Sequence, residues 1–154
     1  MAVTSSTDKI EKRVVLKAPQ ARVWRAISDS GEFGTWFQMR FESGFVEGKA
    51  VKAQVLVPGY EHVKAEFQIV RISPQDYFAY RWHPYAVDPK VDYSGEPTTL
   101  VEFRLTPSGQ DTVLTIVESG FDKVPVARRA EAFRMNDGGW TAQVKNIERY
   151  VTTA

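Results

Sequence analysis

The side chains able to do chemistry in this sequence are few and scattered. Neither of its two histidines, His62 and His83, has a second ligand-type residue at i, i+4 on a helix. That arrangement would put two ligands on one helix face. A metal site would have to gather carboxylates from distant strands, so none is expected. With no cysteine in the chain, disulfides, thiolate zinc sites and a thiol nucleophile are excluded. Ser119-Gly120 reads as a turn, and neither a G-x-S-x-G elbow nor a glycine-rich phosphate cradle is present. Two carboxylates remain, Glu102 and Glu118, on strands expected to be neighbours. On one shared face they would perturb each other's acidity and serve as general acid and base. On the solvated side of a half-buried sheet they would be ordinary surface charges. No cofactor is expected. An enzyme would have to use Glu102, Glu118 and His83.

Arg81 stands between Tyr80 and Trp82, and period-two alternation turns it to the face opposite both. If the aromatics face outward, Arg81 enters the interior and needs a partner, for which Glu66, Glu102 and Glu118 are available. If they face inward, Arg81 is solvated. His83 ends the same strand, where it either hydrogen-bonds a ligand or stands at a rim. Aromatic residues make up 12% of the chain, and such residues line cores and apolar pockets alike. The residues expected to touch a ligand are Trp36, Phe37, Phe67, Trp82, Phe103, Phe133 and Trp140, which would supply apolar surface. Arg81, His83 and Tyr60 would orient a polar end.

The elements that must hold these residues follow from periodicity and turn chemistry. Residues 10–17 read as a strand with Ile10, Val14 and Leu16 on one face. Ala18-Pro19 opens a helix that runs to about Ser28, with Pro at its first position and Val23, Trp24 and Ile27 buried. Ser28-Asp29-Ser30-Gly31 ends it and caps a second short helix carrying Phe33, Trp36 and Phe37 at i, i+3 and i+4. Strands follow at 40–46, 51–57, 64–72, 77–83, 98–106 and 111–119. Turns fall at Glu47-Gly48, Pro58-Gly59-Tyr60, Pro74 and Pro107-Ser108-Gly109. The connection 83–97, with Pro84, Pro89 and Pro97, exceeds the roughly 2–5 residues of a hairpin loop. It reads as a flap beside a cleft mouth or as a solvated insertion. Residues 124–151 are helical, with apolar stripes Val126, Ala130, Phe133 and Trp140, Val144, Ile147, Val151. Gly138-Gly139 between them reads as a kink, a close approach, or a break between two helices.

One strand, two helices, six strands and a long helix make an α+β domain with helices on one face of an antiparallel sheet. A curved sheet gripping a long amphipathic helix leaves a cleft between them. At 154 residues the chain is the size of one domain, expected to occupy 10–152 behind a disordered tail 1–9. A balance of 20 Lys+Arg against 19 Asp+Glu offers no basic field for nucleic acid and no polybasic membrane anchor. The polar first nine residues argue against a signal peptide, and no run of about 18 apolar residues is available to insert in a membrane. The absence of cysteine suits a reducing cytoplasm, the expected location.

Ala18-Pro19, Val23-Trp24 and Trp36-Phe37 come first, then Tyr80-Arg81-Trp82 after the turn at Pro74. Thr112 to Leu114 leads into Glu118-Ser119-Gly120-Phe121, followed by Gly139-Trp140 and by Asn146 to Tyr150. In order and spacing these resemble the START-like (SRPBCC) proteins of the Hsp90-ATPase-activator-homologue type, from about Ile10 to Val151. The resemblance implies the helix-grip fold: a seven-stranded antiparallel sheet around a long C-terminal helix, with an internal cavity. Relatives in the wider superfamily bind lipids, polyketides, hormones or other apolar molecules, and some are cyclases or oxygenase subunits. The co-chaperone that names the group carries an extra N-terminal domain used in Hsp90 binding, for which this chain has no room. Three functions stand as expectations. They are binding of a small apolar or amphipathic molecule, a chaperone-accessory interaction in stress response, and a cavity enzyme such as a cyclase or hydrolase.

Overall fold

A computed structural model describes residues 7–152 of the chain. Most of the expected tail, residues 1–6, lies outside the described residues. Its end is corrected. Lys9 already belongs to the first strand, and the Asp8 carbonyl accepts from the Gly120 and Phe121 N–H groups at 3.1 Å.

Strand β1 (Lys9–Leu16) is followed by helices α1 (Gln20–Ser28) and α2 (Ser30–Phe37). Then come β2 (Met39–Phe41), β3 (Ala50–Val55), β4 (Lys64–Ser73), β5 (Tyr77–Trp82), β6 (Thr99–Ser108) and β7 (Asp111–Ser119). A 3-10 turn at Phe121–Lys123 leads into the long helix α3 (Val126–Thr152). The strands form one antiparallel sheet in the order β1-β7-β6-β5-β4-β3-β2. This is the helix-grip architecture, with α3 lying on the concave face.

Local chemistry accounts for the short elements. Pro19 is extended and stands just before α1 as its N-cap, one place earlier than expected. Asp29 caps α2, its carboxylate accepting from the Glu32 N–H at 3.0 Å. A Cβ on Gly34 would lie 2.2 Å from the Met39 carbonyl oxygen, so only glycine lets α2 fold back onto β2. The β6–β7 hairpin has a two-residue loop, with Ser108 opposite Asp111 and Gly109 at φ 62°. Glycine at the first loop position is what a type II′ turn asks for.

The expected strand 40–46 is corrected to Met39–Phe41. After it the chain leaves the sheet and brings the Phe45 ring 5.1 Å from that of Phe78. Burial of an aromatic side chain, worth about 1.5–3 kcal/mol, outweighs continued pairing of an edge strand. Phe33 of α2 is the hub of this aromatic core, with Trp36, Phe37, Phe67 and Phe103 rings at 4.8–6.0 Å. In β4 the register shifts between Ile69 and Arg71, a bulge that sharpens the bend of the sheet.

Helix α3 is continuous, which excludes a break at Gly138-Gly139. No atom comes within 4 Å of a Cβ built on either glycine, so neither marks a close approach of protein backbone. Val126, expected on the apolar stripe, is instead exposed. Gly138 therefore carries only a helix-propensity cost. Gly138→Ala is expected to raise stability by about 1 kcal/mol, measured by denaturant titration. An unchanged midpoint would mean that the glycine serves the native state in some other way.

Candidate functional site

The inward face of the sheet can be read along one cross-strand row: Ile69, Tyr80, Val101, Glu118 and Ile10 stand side by side from β4 to β1. Among the described residues Glu118 is the one buried charged side chain. No cation faces it. Instead Oε2 accepts from the Trp82 indole N–H at 2.7 Å and the Thr99 hydroxyl at 2.6 Å. Oε1 accepts from the Trp140 indole N–H at 2.8 Å. The Asn136 amide nitrogen donates to both oxygens, at 2.9 and 3.2 Å.

One carboxylate thus ties β5, β6 and β7 to the middle of α3. Burial pushes its pKa above the usual carboxylate range, against the opposing effect of the hydrogen bonds from Thr99, Trp140, Trp82 and Asn136. In the same row, beyond Val101, the Tyr80 hydroxyl is the only buried side-chain polar atom among the described residues without a hydrogen-bond partner. Burial, together with the charge of Glu118, raises its pKa well above the ordinary value. An unpartnered buried hydroxyl costs about 1–3 kcal/mol. Tyr80→Phe is therefore expected to raise stability by roughly 1 kcal/mol or more, read from thermal or denaturant unfolding. A loss of stability would show that the hydroxyl is serving a need of the fold.

In front of this network opens a cleft of about 1000 Å³. Its floor is the trio Phe37, Trp82 and Trp140, whose ring centroids stand 5.8–6.1 Å apart. One wall is the end of the sheet, where Phe41, Ala53 and Ala65 lie in one cross-strand row. The two alanines leave room that Val51 and Phe67 fill in the next row. The opposite wall is one face of α3: Met135, Asn136, Gly139, Trp140 and Gln143. The long β5–β6 connection, with Tyr85, Ala86, Val87, Tyr93 and Ser94, borders the rim. It is held down by Arg128 of α3. That guanidinium donates to Glu96 at 2.6 and 2.9 Å and to the Pro84 carbonyl at 2.7 Å, and lies 4.8 Å from the centre of the Tyr93 ring.

The residues singled out from the sequence separate into three groups. Phe37, Tyr60, Trp82, His83 and Trp140 border the cleft together. Trp36, Phe67, Phe103 and Phe133 do not. Phe67 and Phe103 are fully buried beneath the floor, Trp36 donates its indole N–H to the Ala26 carbonyl at 2.8 Å, and Phe133 packs on Phe121. Arg81 is corrected: Tyr80 and Trp82 face inward, so Arg81 is exposed on the convex side and has no place in the interior. Each aromatic turned inward removes apolar area from water, whereas an inward guanidinium would need a buried partner.

The shared face for Glu102 and Glu118 is also corrected. Glu118 stands opposite Val101, whereas Glu102 stands opposite Val117 on the convex face and accepts from the Tyr77 hydroxyl. The alternation already held that answer. Glu118 is in phase with Leu114 and Ile116, and Glu102 is out of phase with Val101, Phe103 and Leu105. Sequence reasoning missed Asn136 and Thr99 altogether. Asn136 lies at i−4 from Trp140, a spacing that puts both on one helix face. No cluster of metal-ligand side chains occurs among the described residues, and no described helix is long and apolar enough to cross a membrane.

The sequence matches the family described as Activator of Hsp90 ATPase homolog 1-like protein over residues 17–152. No curated protein matches the chain. Among solved structures, DynU16, a protein in the dynemicin biosynthetic locus, is similar at a TM-score of 0.72 and 22% identity. That match covers 95% of this chain but only 48% of DynU16. Protein MLL2253 from Mesorhizobium loti has a TM-score of 0.73 at 18% identity, covering 95% of this chain and 99% of its own. The Aha1 dimer from Colwellia psychrerythraea has a TM-score of 0.68 at 13% identity, covering 92% and 93%. At these identities the likeness is one of fold.

Proposed function

The chain belongs to the Activator of Hsp90 ATPase homolog 1-like family, and from that premise we propose that it binds a small apolar or amphipathic molecule in the cleft between the sheet and α3. The observation that carries this reading is the cluster of three aromatic rings, Phe37, Trp82 and Trp140, that borders a cleft of about 1000 Å³. Small-molecule sites take this form: roughly 300–1,000 Å³, largely apolar, with a few fixed polar groups. Here Tyr60, His83, Asn136 and Gln143 supply those groups at the border.

A ligand that binds only the folded state raises stability by about 2.7 kcal/mol at a hundredfold excess over its Kd. For a chain of this length that is roughly 5–10 °C in Tm. A panel of fatty acids, sterols and polycyclic aromatics, scanned by thermal shift, is expected to contain compounds with this effect. Gly139→Leu, which projects into open space on the cleft wall, is expected to abolish the shift. A panel that moves Tm in neither protein sinks the reading.

The family description and the resemblance in fold to the Aha1 dimer support a rival reading, an accessory to an Hsp90-type chaperone. Co-elution with such a chaperone and a change in its ATPase rate on adding this protein would favour it. Absence of both would remove it. The enzyme reading based on Glu102, Glu118 and His83 loses its basis, because those three side chains do not converge and Glu118 is enclosed by its own donors.

A further inference from the structure

Building on the ligand-binding reading, we infer that the cleft selects apolar ring compounds carrying a hydrogen-bond donor, a hydroxyl or N–H, which is accepted by Asn136 Oδ1 with His83 Nδ1 as a second acceptor. The Asn136 amide nitrogen lies 2.9 and 3.2 Å from the two Glu118 oxygens and donates to both, and an NH2 group only donates. This settles the orientation of the amide and leaves Oδ1 as its free end. Oδ1 has no hydrogen-bond partner among the described residues, and it is not among the buried unpartnered atoms, so it stays accessible. Asn136 borders the cleft.

His83 obeys the same logic. Its Nε2 lies 2.9 Å from the Glu96 carbonyl oxygen, which can only accept. Nε2 therefore carries the proton, and in the neutral ring Nδ1 is an acceptor. It too lacks a partner among the described residues without being sealed off. The two indoles of the floor cannot supply donors to a ligand, because Glu118 takes both N–H groups. Glu118 is thus a positioning residue. It turns the donors of Trp82, Trp140 and Asn136 inward and leaves ring surface and one amide oxygen toward the cleft. An ether or a hydrocarbon of the same shape would leave Oδ1 desolvated and unpaired.

The test compares matched pairs by titration calorimetry: phenol and anisole, β-naphthol and its methyl ether, and hydroxy- and methoxyphenanthrene. Each hydroxyl compound is expected to bind wild-type protein about fivefold or more tightly than its ether, the size of one neutral hydrogen bond. In Asn136→Ala the ratio is expected to fall toward one while the ether's affinity holds, a split that general loss of structure would not produce. His83→Phe should reduce the ratio in part. Should Asn136→Ala fail to fold, the wild-type side-chain amide resonances of Asn136 decide the matter by NMR. They should shift with the hydroxyl compound and not with the ether at equal saturation. Equal affinity of both members of each pair, or an unmoved Asn136 amide, overturns the inference and leaves the ligand-binding reading standing. Binding of neither member of any pair overturns both.

Discussion

Replacing Glu118 by Ala is expected to lower the free energy of unfolding by about 3–5 kcal/mol. That is the range for stripping one member from a buried charged network, since each buried donor left unpaired costs roughly 1–3 kcal/mol. The substitution orphans the indole N–H groups of Trp82 and Trp140 together with the Asn136 amide and the Thr99 hydroxyl. The hydroxyl can rotate to another acceptor; the two indoles cannot. Glu118→Gln keeps the shape and one acceptor oxygen, with two or three of the five contacts according to its orientation, but its NH2 must face one of the two indole donors, so a smaller loss is expected. Denaturant unfolding of the three proteins measures both values. An Ala variant as stable as wild type would mean that the donors find other partners and that the carboxylate does not organise the floor.

The pH dependence of the same site has a definite sign. Burial raises the folded-state pKa of Glu118 above its ordinary 4.5. A group that binds its proton more tightly in the folded state contributes stability in full below the unfolded pKa, and loses it as pH rises through the folded pKa. The advantage of wild type over Glu118→Gln should therefore be largest below about pH 4.5 and shrink as pH rises above it. Taking the difference between the two proteins removes the opposite contribution of groups such as Glu32, which the paired Arg22 and the Tyr150 hydroxyl hold below the usual range against the effect of burial. A difference that grows with pH would reverse the assignment and make the ionised form the one the fold prefers.

Arg128→Ala is expected to release the β5–β6 connection while leaving the sheet intact. The half-buried guanidinium holds Glu96 with two nitrogens, and donates to the Pro84 and Tyr85 carbonyls at 2.7 and 3.4 Å. Hydrogen bonds to a charged group contribute roughly 1.5–3 kcal/mol, so the loop should open at least tenfold more often. Hydrogen exchange at the Val91 and Glu96 amides, which are bonded within the loop at 3.2 and 2.9 Å, reads that opening. Arg128→Lys retains the charge but not the forked geometry and should fall between the two. Exchange unchanged in the Ala variant would show that the loop is held by its own turns, with His83 and Tyr93, and not by α3.

Much of the architecture was legible in the linear pattern because it depends on local rules. The alternation in 111–119, the capping of α2 by Asp29 and the long apolar periodicity after residue 124 each name their element without knowledge of a neighbour. The inward phase of Glu118 was legible too, in step with Leu114 and Ile116. What could not be read was anything set by partners far apart in the chain. The shortness of β2 follows from Phe45 finding Phe78, and the outward turn of Arg81 follows from Tyr80 and Trp82 finding the core. The division of the aromatics into floor and buried core depends on where α2 and α3 cross the sheet. The site itself is the clearest case. Trp82, Glu118 and Trp140 stand out in the sequence only singly, Thr99 and Asn136 not at all, and the five become one network only when three strands and a helix bring four donors to a single carboxylate. Periodicity determines which face a side chain takes; long-range packing alone decides which side chains meet there, because hydrogen bonding demands distances of about 3 Å that no spacing rule specifies.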